Sequence, residues 1–187
     1  MIHPRIALRK FQRDDSAVSA VEFAMLLPLI LLLLLGGFDM ARAIDVKTKT
    51  SLLSRTISDF VSQGDSVTTS QLATIVQAAR SVMYPYPFDA SVLTVTVESI
   101  RESTKTPGKY VIDWSYTPSG KPAASSKDVD TPYVPPVPTV VRTTVDYTYN
   151  LKFVGFLGER LGRNSFDMQS TTYMAPRWGA PVTASGF

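Results

Sequence analysis

The longest apolar run of the chain, residues 17–38, reads AVSAVEFAMLLPLILLLLLGGF and contains one ionisable side chain, Glu22. At about 1.5 Å per helical residue the run covers about 33 Å, enough to cross a bilayer core of roughly 30 Å. The leucines from Leu31 to Leu35 leave no polar face, so such a helix does not suit the surface of a globular domain. The pattern predicts a membrane-spanning helix over residues 18–38.

Beyond this run the apolar residues recur at intervals typical of one helical stripe. They predict a helical extension over residues 39–63, ended by Gly64 and its neighbours, so that one helix of nearly fifty residues results. The predicted stripe consists of Met40, Ile44, Leu53, Ile57 and Phe60. A second helix is predicted between Thr68 and Met83, with Ser70 as its N-cap.

The hydrophobic period changes to two in the second half of the chain, as in strands. Residues 93–98 and 110–117 alternate around a Pro-Gly turn, which predicts a hairpin. The longest alternation runs from residue 141 to residue 153, and residues 166–174 indicate a last strand after a short helix at 154–161. An antiparallel sheet of about four strands with one apolar face needs the helices as its cover, so the predicted fold class is α+β.

These elements divide the chain into five parts. Residues 1–17 form a basic leader, the two helical segments follow, residues 68–176 form the α+β domain, and residues 177–187 form a tail. Within the domain, residues 118–138 are rich in Pro, Ser, Ala and Lys and are too long for an ordinary hairpin connection. This stretch is interpreted either as a surface loop or as a docking surface for a partner.

Composition narrows the function classes. The chain has 187 residues with 44% apolar content, which leaves room for the helix and one domain of about 120 residues. Its 19 basic and 16 acidic residues form no block of like charge, so nucleic acid is not an expected partner. Without cysteine the chain has neither disulfides nor thiolate metal ligands.

Charge also predicts an orientation. Basic residues before the apolar run outnumber the acidic ones, whereas the turns after it mix both signs. Positive residues close to a membrane helix stay in the cytoplasm. The predicted topology is a single pass, with the N-terminus in the cytoplasm and the bulk of the protein on the other side of the membrane.

Few residues offer chemistry of their own. The single histidine, His3, lies in the leader without a cluster of acidic residues, so neither a metal site nor a hydrolytic triad is expected. No phosphate-loop fingerprint is present, and no cofactor is predicted. The sequence favours a protein that is not an enzyme.

Two residues of the apolar run stand out. A carboxylate near the centre of a membrane helix costs on the order of 3 kcal/mol, so Glu22 is expected either to have a partner or to reach the headgroups from its place near the start. Pro28 lacks the N–H that would donate to the carbonyl of Ala24, which predicts a kink or an opened turn.

Read together, residues 17–28 resemble the N-terminal signature of TadE-like proteins, the minor pilins or pseudopilins of tight-adherence pilus systems. A basic leader, the Glu22-Phe23 pair five and six residues past a small residue, and Pro28 within the apolar run occur together. The segment from Gly36 to Ala43 also looks like the end of that family's conserved region. The resemblance implies a pilin-like domain after the helix, and other pilin-like subunits and the pilus assembly machinery as partners.

The resemblance also implies cleavage by a prepilin peptidase, here between Ala17 and Val18. Cleavage would create an α-amine at Val18, on the same helix face as Glu22, where opposite charges stabilise each other within a chain or between subunits. The family usually has glycine before the cut, whereas this chain has Ala17. Alanine is also small, and its extra methyl group leaves two outcomes open, cleavage at a reduced rate and no cleavage.

Two other interpretations remain open. Ala41-Arg42-Ala43 offers small residues at the spacing that signal peptidase requires, which would release a secreted binding domain starting at Ile44. The third interpretation is a single-span membrane protein whose outer domain binds something unrelated to pili.

Overall fold

A computed structural model of the chain describes residues 15–118, 123–124, 128–129, 137–155, 160 and 164–186. The predicted leader, except for its last residues, lies outside the described part of the chain, as does most of the loop at 118–138. Of the predicted short helix at 154–161, Gly155 and Arg160 are described as helical. The chain forms two compact units, one of residues 1–42 with 151–164 and the other of residues 43–150 with 165–187.

Helix α1 (Asp15–Gln63) is 49 residues long and continues through Pro28 without interruption. The prediction of one helix of nearly fifty residues is therefore confirmed. Its apolar part is exposed on every side, with Met25 77% and Leu33 66% accessible. An apolar surface of this kind is stable only in lipid or against other apolar surfaces.

The second unit contains the remaining helices and strands. They are β1 (Ser66–Thr68), α2 (Thr69–Ala79), a 3-10 turn (Arg80–Met83), β2 (Leu93–Glu102), β3 (Tyr110–Tyr116), β4 (Ala123–Ala124), β5 (Asp128–Val129), β6 (Thr139–Asn150), β7 (Ser165–Met174) and β8 (Thr183–Ser185). The main sheet has the order β4-β3-β2-β6-β7, with β5 also paired to β3, and all its pairs are antiparallel. The four long strands confirm the predicted α+β class and the antiparallel sheet.

Three local predictions need correction. The N-cap of α2 is Thr68, not Ser70, because the Thr68 hydroxyl accepts the amide of Gln71 while the Gln71 side chain accepts the amide of Thr68. Strand β6 ends at Asn150 rather than at residue 153. The predicted tail contains β8, which pairs with β1 in parallel and thereby joins distant parts of the chain.

The aromatic residues of β3 and β6 lie in the core. Trp114, Tyr116, Tyr147 and Tyr149 are all at most 6% accessible. Tyr110 and Ile112 belong to a further buried cluster with Ile100 and Val140. Aromatic side chains of this size contribute a large buried apolar area to the core.

The predicted stripe of α1 is wrong in part. Leu53 and Ile57 are fully buried, but Met40, Ile44 and Phe60 are 53% to 62% accessible. The buried face of the helix instead combines apolar residues with small hydroxyl side chains: Val46, Thr50, Leu53, Ser54, Ile57, Ser58, Val61 and Ser62. Small side chains let a helix approach a sheet closely, so residue size decides this face together with hydrophobicity.

Replacing Ser54 by leucine is expected to destabilise the second unit by about 1–3 kcal/mol, because Ser54 is fully buried and its Oγ lies 2.8 Å from Thr172 Oγ1 in β7. Chemical unfolding of the full chain in detergent, followed by tryptophan fluorescence, measures the loss. Arg55→Leu is the matched control, since Arg55 is exposed one residue further along the helix. Equal unfolding midpoints for both variants would contradict this packing.

Candidate membrane and assembly site

The residues predicted to act in assembly lie at the start of α1. Val18 and Phe23 are 53% and 59% accessible, and Glu22 is exposed as well. Val18 and Glu22 are one helical turn apart on the same face. The side chain of Ala17 lies outside the described residues, although the bond between Ala17 and Val18 falls in the first turn of the helix.

Pro28 lies inside α1, as predicted. Its ring nitrogen has no hydrogen to donate, so the carbonyl of Ala24 loses its usual helical partner. The kink expected at this position stays a prediction. The helix therefore has one backbone hydrogen bond fewer at this turn.

The apolar part of α1 has the properties of a membrane anchor. It contains an 18-residue window with a mean hydropathy of 2.5, none of which is buried. Among the described residues this is the one helix long and apolar enough to cross a bilayer. The chain is therefore compatible with single-pass anchoring.

A buried carboxylate marks the end of the apolar run. Asp39 follows Phe38 directly and is 1% accessible. Its Oδ1 accepts the amide of Lys152 at 3.0 Å, and its Oδ2 accepts the amides of Phe153 and Val154 at 2.9 and 2.8 Å. One side chain of the helix thus holds the backbone of three consecutive residues that are more than a hundred positions away in sequence.

These hydrogen bonds keep Asp39 ionised. Burial disfavours the charged carboxylate and is the largest single influence, but the amides of Val154, Phe153 and Lys152 together with the charge of Arg42 outweigh it. The pKa of Asp39 is consequently lowered. A carboxylate that accepts three amides is a charged anchor for the backbone rather than a proton donor.

The same contacts arrange side chains around the helix. The Phe153 ring lies 6.3 Å from the Phe38 ring, and the Arg42 guanidinium is 5.6 Å from the centroid of Phe153. Phe38 and Phe153 remain 53% and 41% accessible. The prediction that Phe153 belongs to the sheet is therefore wrong, because Asp39 takes the amides of residues 152–154 that a longer strand would have paired.

Sequence reasoning missed the role of Asp39. The available signal was its position, since an acidic residue immediately after an apolar run of this length must be solvated or hydrogen-bonded. The segment at 152–154 could not be identified as its partner in this way, because every residue except proline has a backbone amide.

The described residues contain no group of three or more His, Cys, Asp or Glu side chains that could hold a metal ion. A shallow groove of about 400 Å³ lies beside the end of α1, with Phe60 and Ile75 in its wall, and none of its lining residues is ionisable. This groove offers apolar contact but neither an acid nor a base.

Comparison with known proteins supports the resemblance read from the sequence. Residues 17–57 match the family model described as TadE-like protein. The match begins at the predicted processing site and continues beyond Ala43 along α1. A search of the curated proteins finds no match, and a search of the solved structures finds none either.

Proposed function

We propose that this chain, whose residues 17–57 are those of a TadE-like protein, is a non-enzymatic pilin-like subunit of a tight-adherence pilus system. The observation that carries the proposal is the exposed apolar segment of α1 with a single acid, Glu22, near its start. Such a helix is stable in lipid or bundled with similar helices. In this proposal the protein is anchored in the membrane and then assembles with partner subunits.

In the proposed arrangement, residues 18–38 span the bacterial inner membrane with the leader in the cytoplasm and the α+β domain in the periplasm. Prepilin peptidase cuts between Ala17 and Val18, and the new amine at Val18 pairs with Glu22 in the same chain or in a neighbouring subunit. Such pairing offsets the cost of placing either charge among apolar helices. Phe23 and Pro28 contribute to the helix surface and to its local opening on extraction from lipid.

Fractionation with N-terminal mass spectrometry tests the proposal on material expressed with its own pilus genes. The expected product is bound to the membrane and begins at Val18. A membrane-bound chain that still begins at Met1 in assembled material contradicts cleavage. A soluble product that begins at Ile44 overturns membrane anchoring, and it would mean that the chain is cut within α1, where Ala43 is buried.

A further inference from the structure

The patch at the end of the apolar run carries two exposed aromatic rings and two cationic side chains. Phe38 and Phe153 are 53% and 41% accessible, and Arg42 and Lys152 are exposed beside them. We propose that this patch, formed by Phe38, Arg42, Lys152 and Phe153, binds the anionic headgroup region of the membrane that α1 spans. The inference rests on the proposed anchoring and adds a second membrane contact, made by a segment far from the helix in sequence.

The position of the patch at the end of the apolar run favours contact with headgroups. Phe38 is the last residue of the apolar run, and the exposed surface of the run continues directly into the patch. Tryptophan and tyrosine are enriched where a membrane span meets water, because their side chains have both an apolar and a polar part. Phe38 and Phe153 supply the apolar part of such a contact from two chain segments, and the charged ends of Arg42 and Lys152 supply the polar part.

The backbone that carries the Phe153 ring is held in place. Asp39 accepts the amides of Lys152, Phe153 and Val154, so the backbone behind the Phe153 ring is held at the helix. A methyl group placed on Gly36 would lie 4.0 Å from Val154 Cγ1, so this segment also lies close to the helix one turn before Asp39. An exposed ring with a fixed backbone loses little conformational entropy when it enters an interface.

The charge of the patch favours contact with anionic lipid. The carboxylate of Asp39 is buried and accepts three amides, whereas Lys152 and Arg42 are exposed residues. The exposed charge of the patch is therefore positive. Lysine and arginine next to a membrane are attracted to anionic phospholipids, and their aliphatic stems lie along apolar surface while the charges reach the headgroups.

Tryptophan quenching by brominated lipid tests the proposal on the full-length chain. The background variant is Trp178→Phe, which leaves Trp114, a 3% accessible residue, as a constant buried signal and as a monitor of folding. Phe153→Trp reports on the patch, Leu31→Trp on the anchor, and Phe60→Trp on an exposed phenylalanine of the other unit. Each is reconstituted into vesicles of phosphatidylethanolamine and phosphatidylglycerol with bromines placed near the headgroup or near the chain ends.

We expect headgroup-proximal bromines to quench the tryptophan at position 153 at least about threefold above the background, while the one at position 60 stays at background. The tryptophan at position 31 is expected to respond most to deep bromines. Quenching at 31 without quenching at 153 overturns the headgroup contact and leaves the anchor intact. Absence of quenching at 31 overturns the anchor and the proposed function together.

A second comparison tests whether the patch prefers anionic headgroups. Vesicles of phosphatidylcholine alone, or the substitution Lys152→Gln, are expected to lower quenching at position 153 by about twofold, because the attraction of the cations is lost. Leu31→Trp provides the control, since its depth depends on the apolar run. Equal quenching at position 153 in both lipid mixtures would show that the patch has no preference for anionic headgroups and would overturn that part of the proposal.

Discussion

Replacing Glu22 by alanine is expected to leave the protein in the membrane and to reduce its incorporation into pili at least roughly tenfold, the effect of losing about 1.4 kcal/mol from each subunit contact. The apolar run that anchors the helix becomes more apolar in this variant, so insertion is not impaired. The interaction that the proposed mechanism loses is the pairing of the carboxylate with an amine, and the exposed position of Glu22 makes the carboxylate accessible to another subunit. Membrane fractionation and quantification of the protein in sheared surface pili measure the two effects separately.

Val21→Ala is the matched control, because Val21 is 61% accessible and adjacent in the same helix. It changes the apolar surface without removing a charge and is expected to leave incorporation within about twofold. Glu22→Gln distinguishes charge from shape and should behave like the alanine variant. Unchanged incorporation in both Glu22 variants would remove the residue from the proposed mechanism, whereas loss from the membrane would mean that its role is in insertion.

The extent to which the fold follows from the sequence differs between the two halves of α1. The apolar first half is predictable as a helix, because an uninterrupted apolar run of this length is typical of a membrane-spanning helix. The buried face of residues 43–63 is not, because the apolar spacing predicts that Ile44 and Phe60 are buried, whereas both are exposed. Ser54 and Ser58 are buried instead, and small hydroxyl residues carry no hydrophobic signal.

The pairing of the strands could also be predicted only in part. Alternation of apolar and polar residues identified β2, β3, β6 and β7, and β6 shows the pattern most clearly, with every second residue buried from Val141 to Tyr149. The pairing of β1 with β8 was missed, since each of the two strands has three residues, too few for a period of two to appear. Short strands that pair across more than a hundred residues depend on tertiary packing that a local pattern does not contain.

Some residues of the candidate site could be identified from the sequence, whereas the role of Asp39 could not. Glu22, Phe23 and Pro28 were identified from the sequence because each is unusual within an apolar run, and their roles stay predictions. Asp39 lies within the segment from Gly36 to Ala43 that resembles the family, but nothing in that segment indicates its hydrogen-bond partners. Its partners are the amides of residues 152–154, and only the folded chain brings these to the helix.

Replacing Asp39 by alanine is expected to release the segment at 152–154 from the helix. Three amides lose a charged acceptor, and a hydrogen bond to a charged group contributes about 1.5–3 kcal/mol, so local opening becomes easier by at least about 2 kcal/mol. Hydrogen exchange of the amides of Lys152, Phe153 and Val154 measures the change as a loss of protection of roughly thirtyfold. Asp59→Ala is the control, because the bridge of Asp59 to Arg177 is exposed and such pairs contribute about 1 kcal/mol or less.

The pH dependence of the same protection tests the charge itself. Because the pKa of Asp39 is lowered on folding, the stabilisation is complete above the ordinary aspartate value of about 3.9 and is lost as the pH falls through the lowered pKa. Protection of the amides of residues 152–154, corrected for intrinsic exchange, is therefore expected to decrease below about pH 4 in the original chain. In Asp39→Asn this acid-dependent step should be absent, since the amide does not titrate. An identical acid profile in both proteins would mean that the backbone of residues 152–154 is held by neighbouring contacts and not by the ionised carboxylate.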